Sequence, residues 1–421
     1  MISYSLLEQY TSVFSTPLNE SEINKHSPNL PPKFTLENVS FDVDDIKKQI
    51  KNMLSNAAPG LDGITPKILK ACAETISYPI YLLWKKSTDS GQIPDLCKKS
   101  AVIPIFKNGK KDLAKNYRPV SLTSHVIKIF ERIIKNQVVE FLEQNNLLKN
   151  FQHGFRKNRN CLTQLLEHYV KVLESLEKGL VVDVIYLDFA KAFDKVDHGL
   201  VIKKAEALGI KGDMLNWLKE FLTNRKQIVL VNGFPSEERN VLSGVPQGTV
   251  LGPLLFLIMI NDMPEYIKFC DISSFADDTK IIKTISCQED SNDMQKDIDN
   301  AENYTKDNNL VLNCEKFAHI RYDPLDKLKN EHISYKTQDQ KPIETKKSVK
   351  DLGIIMSSNM KFIEHINTLE IKCRQLIGWI LRTFKSREIL PMLTLWKSLV
   401  ITRLDYCSQL WSPYKAGEIQ K

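Results

Sequence analysis

Apolar and polar positions alternate along this chain in blocks of two kinds. Short runs of β-branched and aromatic residues have the length of strands, and longer stretches repeat their apolar positions at helical spacing. V-V-D-V-I-Y-L-D (Val181–Asp188) is a strand-like run that closes on a carboxylate, and S-F-A-D-D-T-K-I-I (Ser274–Ile282) reads as two short strands with Asp277 and Asp278 at the bend. Gln227–Val231 is a further apolar strand, followed by the turn pair Asn232-Gly233. Ser124 is placed to cap a helix whose apolar face carries Ile127, Phe130, Ile134 and Phe141. Leu162, Leu165, Leu166, Tyr169 and Leu173 mark a second helix, Leu215, Leu218 and Phe221 a third, and Ile366, Leu369, Cys373, Leu376, Ile380 and Phe384 a fourth. Val250–Ile260 is apolar on every side, as a buried helix is, and is too short for a bilayer, which needs roughly 20 residues. The alternation argues for an α+β, mixed α/β, architecture.

Between these blocks the pattern weakens. Residues 1–42 are polar and carry Pro17, Pro28, Pro31 and Pro32, which predicts a loosely packed lead-in with regular structure from Val43 onward. Thr65-Pro66 reads as a helix start after a turn rich in Pro and Gly. Residues 323–347 are charged and predict a long loop or exposed hairpin. The organisation expected is thus a lead-in (1–42), a main body (43–322) and a terminal region (323–421) built from that loop, a short strand segment and helices. A chain of 421 residues is long enough for two or three packed subdomains. With 58 basic against 51 acidic residues, the net charge of +7 permits a nucleic-acid partner without requiring one. The eight cysteines lie far apart, with no C-x-x-C pair, which predicts thiols in a reducing compartment and excludes a zinc cluster at ligand spacing. No secretory pattern opens the sequence. The expectation is an intracellular protein of the nucleus or cytoplasm with no membrane partner.

The chemistry-bearing candidates sit at the strand ends. Adjacent carboxylates repel, so keeping Asp277 beside Asp278 next to apolar sequence costs stability unless cations or hydrogen bonds neutralise them. Oxygen ligands of this kind suit Mg²⁺. A third acid, Asp188, brought in by a neighbouring strand would complete a site for two such ions about 4 Å apart, the arrangement that clamps both oxygens of a phosphoryl transfer. By themselves, an Asp-Asp pair equally fits a solvated turn, and an acid closing a strand equally fits a cap.

Three motifs in order change that balance: Y-L-D-F-A-K-A-F-D-K-V-D-H (Tyr186–His198), S-G-V-P-Q-G-T-V-L-G-P-L-L-F (Ser243–Phe256) and F-A-D-D (Phe275–Asp278). Together they resemble the palm of a reverse transcriptase, in particular of the non-LTR retrotransposons, the LINE and jockey-like elements. N-A-A-P-G-L-D-G-I-T-P-K-I-L-K (Asn56–Lys70), the basic hairpin Lys98–Pro119, F-Q-H-G-F-R-K-N-R-N-C-L-T-Q-L-L (Phe151–Leu166), Asn308–Arg321 and V-K-D-L-G-I-I-M (Val349–Met356) resemble further motifs of the same family. The resemblance covers nearly the whole chain from Asn56 onward. It implies a right-hand polymerase with fingers, palm and thumb that copies RNA into DNA, with an RNA template, a DNA primer or nicked target DNA, and dNTPs as partners.

The likeness also assigns roles. Asp188, Asp277 and Asp278 would hold two Mg²⁺ ions, for which Mn²⁺ could substitute, with the main-chain carbonyl of Phe189 as a further ligand. Lys107 and Arg118 would lie over the triphosphate, Gln247 and Gly248 against the nucleotide and templating base, and Lys316 near the departing pyrophosphate. Phe193 would sit beneath the sugar and leave no room for a 2′-hydroxyl. Arg156, Lys157 and Arg159, interleaved with aromatics, would contact the template backbone. Two other readings remain: a degenerate copy that binds RNA without catalysis, which the intact acids and Gln247-Gly248 argue against, and a two-metal nuclease, which has no use for the Gly-Pro-Gln-Gly loop. The family commonly carries an endonuclease ahead of the polymerase and sometimes a zinc knuckle behind it. Neither pattern occurs here, which fits a fragment of a longer element or a truncated copy.

Overall fold

The computed structural model describes residues 2–26, 31–323 and 334–413, together with Ile419. Mixed strands and helices form two compact units that interleave along the chain: Met1–Asn150 with Phe189–Met263 and Asn303–Val311, and Phe151–Asp188 with Pro264–Glu302 and Leu312–Lys421. Among the described residues no helix is long and apolar enough to cross a membrane.

In the first unit, Lys99–Phe106 and Tyr117–Leu122 pair antiparallel across the basic turn, with Ile105 opposite Arg118. Lys226–Val231 joins parallel to the other side of Lys99–Phe106. Asn232 and Gly233 both take positive φ, the requirement of a type I′ turn, and return the chain as Phe234–Pro235. The helix His125–Gln144 starts where Ser124 accepts a hydrogen bond from the Val126 amide at 3.1 Å. It buries Phe130 between Trp84, stacked at 5.0 Å, and Trp217, edge-on at 5.3 Å. Such ring pairs add about 0.5–1.5 kcal/mol each beyond the area they bury.

The lead-in is more ordered than its composition predicts. Ile2–Thr11 is a helix, and its Leu6, Leu7 and Tyr10 are buried against Val102 and Val229 of the sheet. The local pattern does not announce a helix, because a helix this short is marginal alone and forms on the surface it covers. Further on, the Leu18 amide donates to Asp197 Oδ2 at 2.9 Å. Regular structure resumes at Val43, where Asp42 and Asp45 form a reciprocal capping box. Pro28 lies outside the described residues.

The second unit is organised on a five-stranded sheet in the order Glu344–Thr345, Ala318–Tyr322, Val181–Leu187, Asp278–Ile285, Asp271–Phe275. Val181–Leu187 is central and antiparallel to both neighbours, and six of its seven residues, all but Tyr186, are buried. One of the buried six is Asp183. Although burial pushes its carboxyl up, hydrogen bonds from Arg321, bidentate at 2.8 and 2.6 Å, and the nearby His319 hold it down to about 2. Tyr335 donates to the same carboxylate at 2.7 Å. The expected 323–347 loop is therefore only partly a loop: residues 324–333 lie outside the described residues, while Tyr335 is buried and Glu344–Thr345 extends the sheet. A separate hairpin, Ser348–Asp351 with Ile354–Ser357, and the helix Ile363–Thr383 complete this unit. Of the C-terminal stretch L-D-Y-C-S-Q-L-W-S-P-Y (residues 404–414), Tyr414 lies outside the described residues.

Because Leu7 is fully buried on the sheet, Leu7→Ala is expected to cost roughly 2–4 kcal/mol. Urea unfolding followed by tryptophan fluorescence would show this as a lowered midpoint. An unchanged midpoint would mean that the N-terminal helix is not packed as described.

Candidate active site

The registers of the second sheet bring the expected acids to one end of it. Leu187 stands opposite Thr279, so the next residue, Asp188, comes across from Asp278. On the other side Tyr186 stands opposite Ala318, so Asp188 comes across from Lys316. Lys316 Nζ lies 2.8 Å from Asp188 Oδ2. The Asn313 amide donates to the Asp188 carbonyl at 2.7 Å and fixes the strand exit. Asp188, Asp278 and Lys316 line one cavity of about 310 Å³, joined there by Lys280 and Asp351.

Charge at this end is unbalanced. Desolvation, followed by the negative fields of Asp277, Asp351 and Asp188, raises the Asp278 carboxyl from its ordinary range to about 6. Asp351 is itself buried in an ion pair with Lys280 and receives the Tyr186 hydroxyl at 3.4 Å. Among the described residues no group of three His, Cys, Asp or Glu side chains is gathered closely enough to hold a metal ion as it stands. The carboxylate oxygens are nonetheless of the kind a hard cation takes, and Lys316 already pairs with one of them by charge.

The turn that carries Asp277 is held from outside the hairpin. Phe275 pairs with Asp278, leaving Ala276 and Asp277 as a two-residue connection, and Ala276 takes φ 55°, a left-handed conformation that costs about 1–2 kcal/mol for a residue with a Cβ. The buried Gln152 side chain over-determines it: Oε1 accepts from the Ala276 amide at 2.9 Å, and Nε2 donates to the Ala276 carbonyl at 3.1 Å. The same Oε1 accepts from the Gly154 amide at 2.6 Å. A Cβ on Gly154 would stand 2.4 Å from the Ala276 nitrogen, so only glycine fits there. His153 is structural, bonded through its two nitrogens to Thr163 Oγ1 and Glu167 Oε2, each at 3.0 Å. Of the basic residues expected to touch template, Arg159 donates to the Gln152 carbonyl at 3.2 Å, Arg156 is half-buried and Lys157 is exposed.

The first unit holds the remaining expected residues. Its Gly-rich loop is laced to the segment after Phe189, itself buried, by Gly244 donating to the Val196 carbonyl at 2.7 Å and Val245 to the Phe193 carbonyl at 2.8 Å. The Ser121 amide donates to the Gln247 carbonyl at 2.7 Å, and Gly248, at φ 114°, passes so close that a Cβ would meet the Ser121 oxygen at 2.5 Å. The loop then enters the helix Gly252–Ile260, whose leading amides of Val250 and Leu251 donate to the fully buried Glu131 at 2.7 and 3.0 Å. Phe193 stacks on Phe256 with ring centroids 4.5 Å apart. Lys107 and Arg118 are exposed on their hairpin.

Residues 105–356, more than half of the chain, match the family described as reverse transcriptase (RNA-dependent DNA polymerase). The chain belongs to the reverse transcriptase family. It is similar to the probable RNA-directed DNA polymerase from transposon X-element of Drosophila melanogaster, 26% identical over 96% of this chain and 45% of that protein. It is also similar to the RNA-directed DNA polymerase from mobile element jockey of Drosophila funebris, 25% identical with the same coverage. The putative 115 kDa protein of the type-1 retrotransposable element R1DM is 25% identical over 88% of this chain and 35% of its own length. The chain thus spans less than half the length of these relatives.

In this reverse transcriptase family member, the residues that hold the acid-bearing strand ends carry little signal in the sequence. Gln152 and Gly154 were visible only as part of a motif, and Lys280 and Asp351 carried no signal beyond following Asp278 and preceding a Leu-Gly turn. Gly154→Ala is expected to displace the Ala276-Asp277 turn and to destabilise the second unit by about 1–3 kcal/mol. Hydrogen exchange at the amides of Ala276 and Asp277 would rise locally. Wild-type exchange in the variant would contradict the clamp.

Proposed function

We propose that this chain is an RNA-directed DNA polymerase of the non-LTR retrotransposon type, which extends a DNA 3′-hydroxyl on an RNA template. The observation that carries the reading is the register that sets Asp188 across from Asp278, one residue beyond Asp277, in a chain whose family is that of reverse transcriptases. Under this reading the second unit's sheet is the palm, the basic hairpin of the first unit belongs to the fingers, and the helix Ile363–Thr383 belongs to the thumb.

Asp188, Asp277 and Asp278 would hold the two divalent ions, Mg²⁺ or Mn²⁺, with the Phe189 carbonyl as a further oxygen. When bound, such ions supply the positive charge that favours ionisation of the primer hydroxyl and offsets charge on the transferring phosphoryl group. The protein's own part is positioning. Lys316, released from Asp188, is within reach of phosphate oxygens, and Lys107 and Arg118 offer exposed cations to the triphosphate. Gln247 and Gly248 present a rigid loop to the base pair being formed. Arg156, Lys157 and Arg159 meet the template backbone, and partners are RNA, primer or nicked DNA, and dNTPs. The names of the matched relatives, RNA-directed DNA polymerases of mobile elements, support this reading.

Asp277→Asn is expected to lower primer extension by about a hundredfold or more, since the variant loses a charged oxygen needed only in the transition state. Its Kd for primed RNA should stay within about threefold of wild type, because phosphate contacts set affinity. Extension at near the wild-type rate would remove the acids from the mechanism. Phe193→Val should raise the ratio of ribonucleotide to deoxynucleotide kcat/KM by at least about tenfold, roughly 1.4 kcal/mol of lost steric discrimination. Single-nucleotide incorporation with paired substrates measures it, and an unchanged ratio in a variant that still polymerises would assign Phe193 to packing on Phe256 alone.

A further inference from the structure

Asp194 follows Phe193 and points its carboxylate at the Gly-rich loop of its own unit. Its Oδ1 accepts from Gln247 Nε2 at 2.9 Å. Its main-chain carbonyl accepts from the Ser243 hydroxyl at 2.9 Å, and that hydroxyl in turn accepts from the Ser15 amide at 2.9 Å. A Cβ on Gly244 would stand 2.6 Å from the same Asp194 carbonyl, so the two segments are as close as main chains can come. Asp194, Ser243 and Gln247 line a small cavity of about 60 Å³ with Tyr10, Tyr117 and Gln227.

A primary amide can be turned either way, and what decides is the partner on its fixed side. An ionised carboxylate only accepts. It therefore holds Gln247 with its NH₂ toward Asp194, leaving the carbonyl oxygen and the second N–H to meet a ligand. Burial pushes the Asp194 carboxyl up, while Gln247, Lys191 and Arg118 favour the ionised form.

We infer that Asp194 is a positioning residue for nucleotide selection: it fixes the orientation of the Gln247 amide, and with it the hydrogen-bonding face that the loop offers to the incoming nucleotide. This rests on the reading of the chain as a DNA polymerase, in which Gln247 meets the nucleotide. Asp194 touches no substrate and acts through Gln247.

The test is a double-mutant cycle read by single-nucleotide incorporation on primed RNA. Asp194→Ala should raise the KM for the correct dNTP by about tenfold with a smaller effect on kcat, and leave the Kd for primed RNA within about threefold. In a Gln247→Ala background the same substitution should add less than about twofold, because the group it orients is gone. Asp194→Asn retains an acceptor oxygen and should cost less than Asp194→Ala. A second arm needs no folded Asp194→Ala: Gln247→Glu opposes two carboxylates, and adding Asp194→Asn, which supplies a donor, should recover at least about threefold of the lost kcat/KM. Additive effects across the cycle, or no recovery in the second arm, would overturn the inference while leaving the polymerase reading intact. A wild-type chain that incorporates no nucleotide would overturn both.

Discussion

Repulsion among carboxylates at one end of the five-stranded sheet is the constraint around which the second unit is built. Val181–Leu187 and its neighbours bury β-branched side chains, and then deliver Asp188, Asp277 and Asp278 to the same edge, with Asp351 close by. Nothing about stability asks for this. A buried or crowded charge costs free energy unless a partner offsets it, and a fold selected for stability alone would place apolar side chains there. Lysines answer part of the repulsion, Lys280 at Asp351 and Lys316 at Asp188. Asp278 is left raised to about 6 by its desolvation and by the negative fields of Asp277, Asp351 and Asp188.

Keeping acids together requires a backbone that cannot relax. The left-handed Ala276 is held at both its amide and its carbonyl by one side chain, Gln152, and Gly154 closes the space in which the turn could move. In the first unit the Gly-rich loop is fixed by another means, main-chain hydrogen bonds to the segment after Phe189 and a buried glutamate under the helix that follows. The Gln247 side chain of that loop donates to Asp194. The two units thus solve positioning differently, one against like charge and one by close main-chain approach.

What was legible in the sequence follows from this. Signals that act within a few residues read correctly: Ser124 caps its helix, Asn232-Gly233 turns its hairpin, and the apolar run before Asp188 is a buried central strand. The three acids became candidates through the motifs that carry them, since an Asp-Asp pair by itself equally fits a solvated turn and an acid at a strand end equally fits a cap. Gln152 was not, because its partner lies 124 residues away, and Asp194 meets Gln247 across 53. Neither contact leaves a periodic trace. The N-terminal helix was hidden for the same reason, since Leu6, Leu7 and Tyr10 have meaning only against Val102 and Val229. Proline and polar content made that segment look loose, and the sheet it covers overrode the local preference.

Templated synthesis by the purified chain is the most direct test of the account. A labelled oligo-dT primer annealed to poly-rA, incubated with dTTP and Mg²⁺ or Mn²⁺, is predicted to be lengthened. The same primer without template should stay unextended. Tight binding of the primed RNA with no added nucleotide in either metal would contradict the account and leave the chain an RNA-binding relative that has kept the acids without the chemistry.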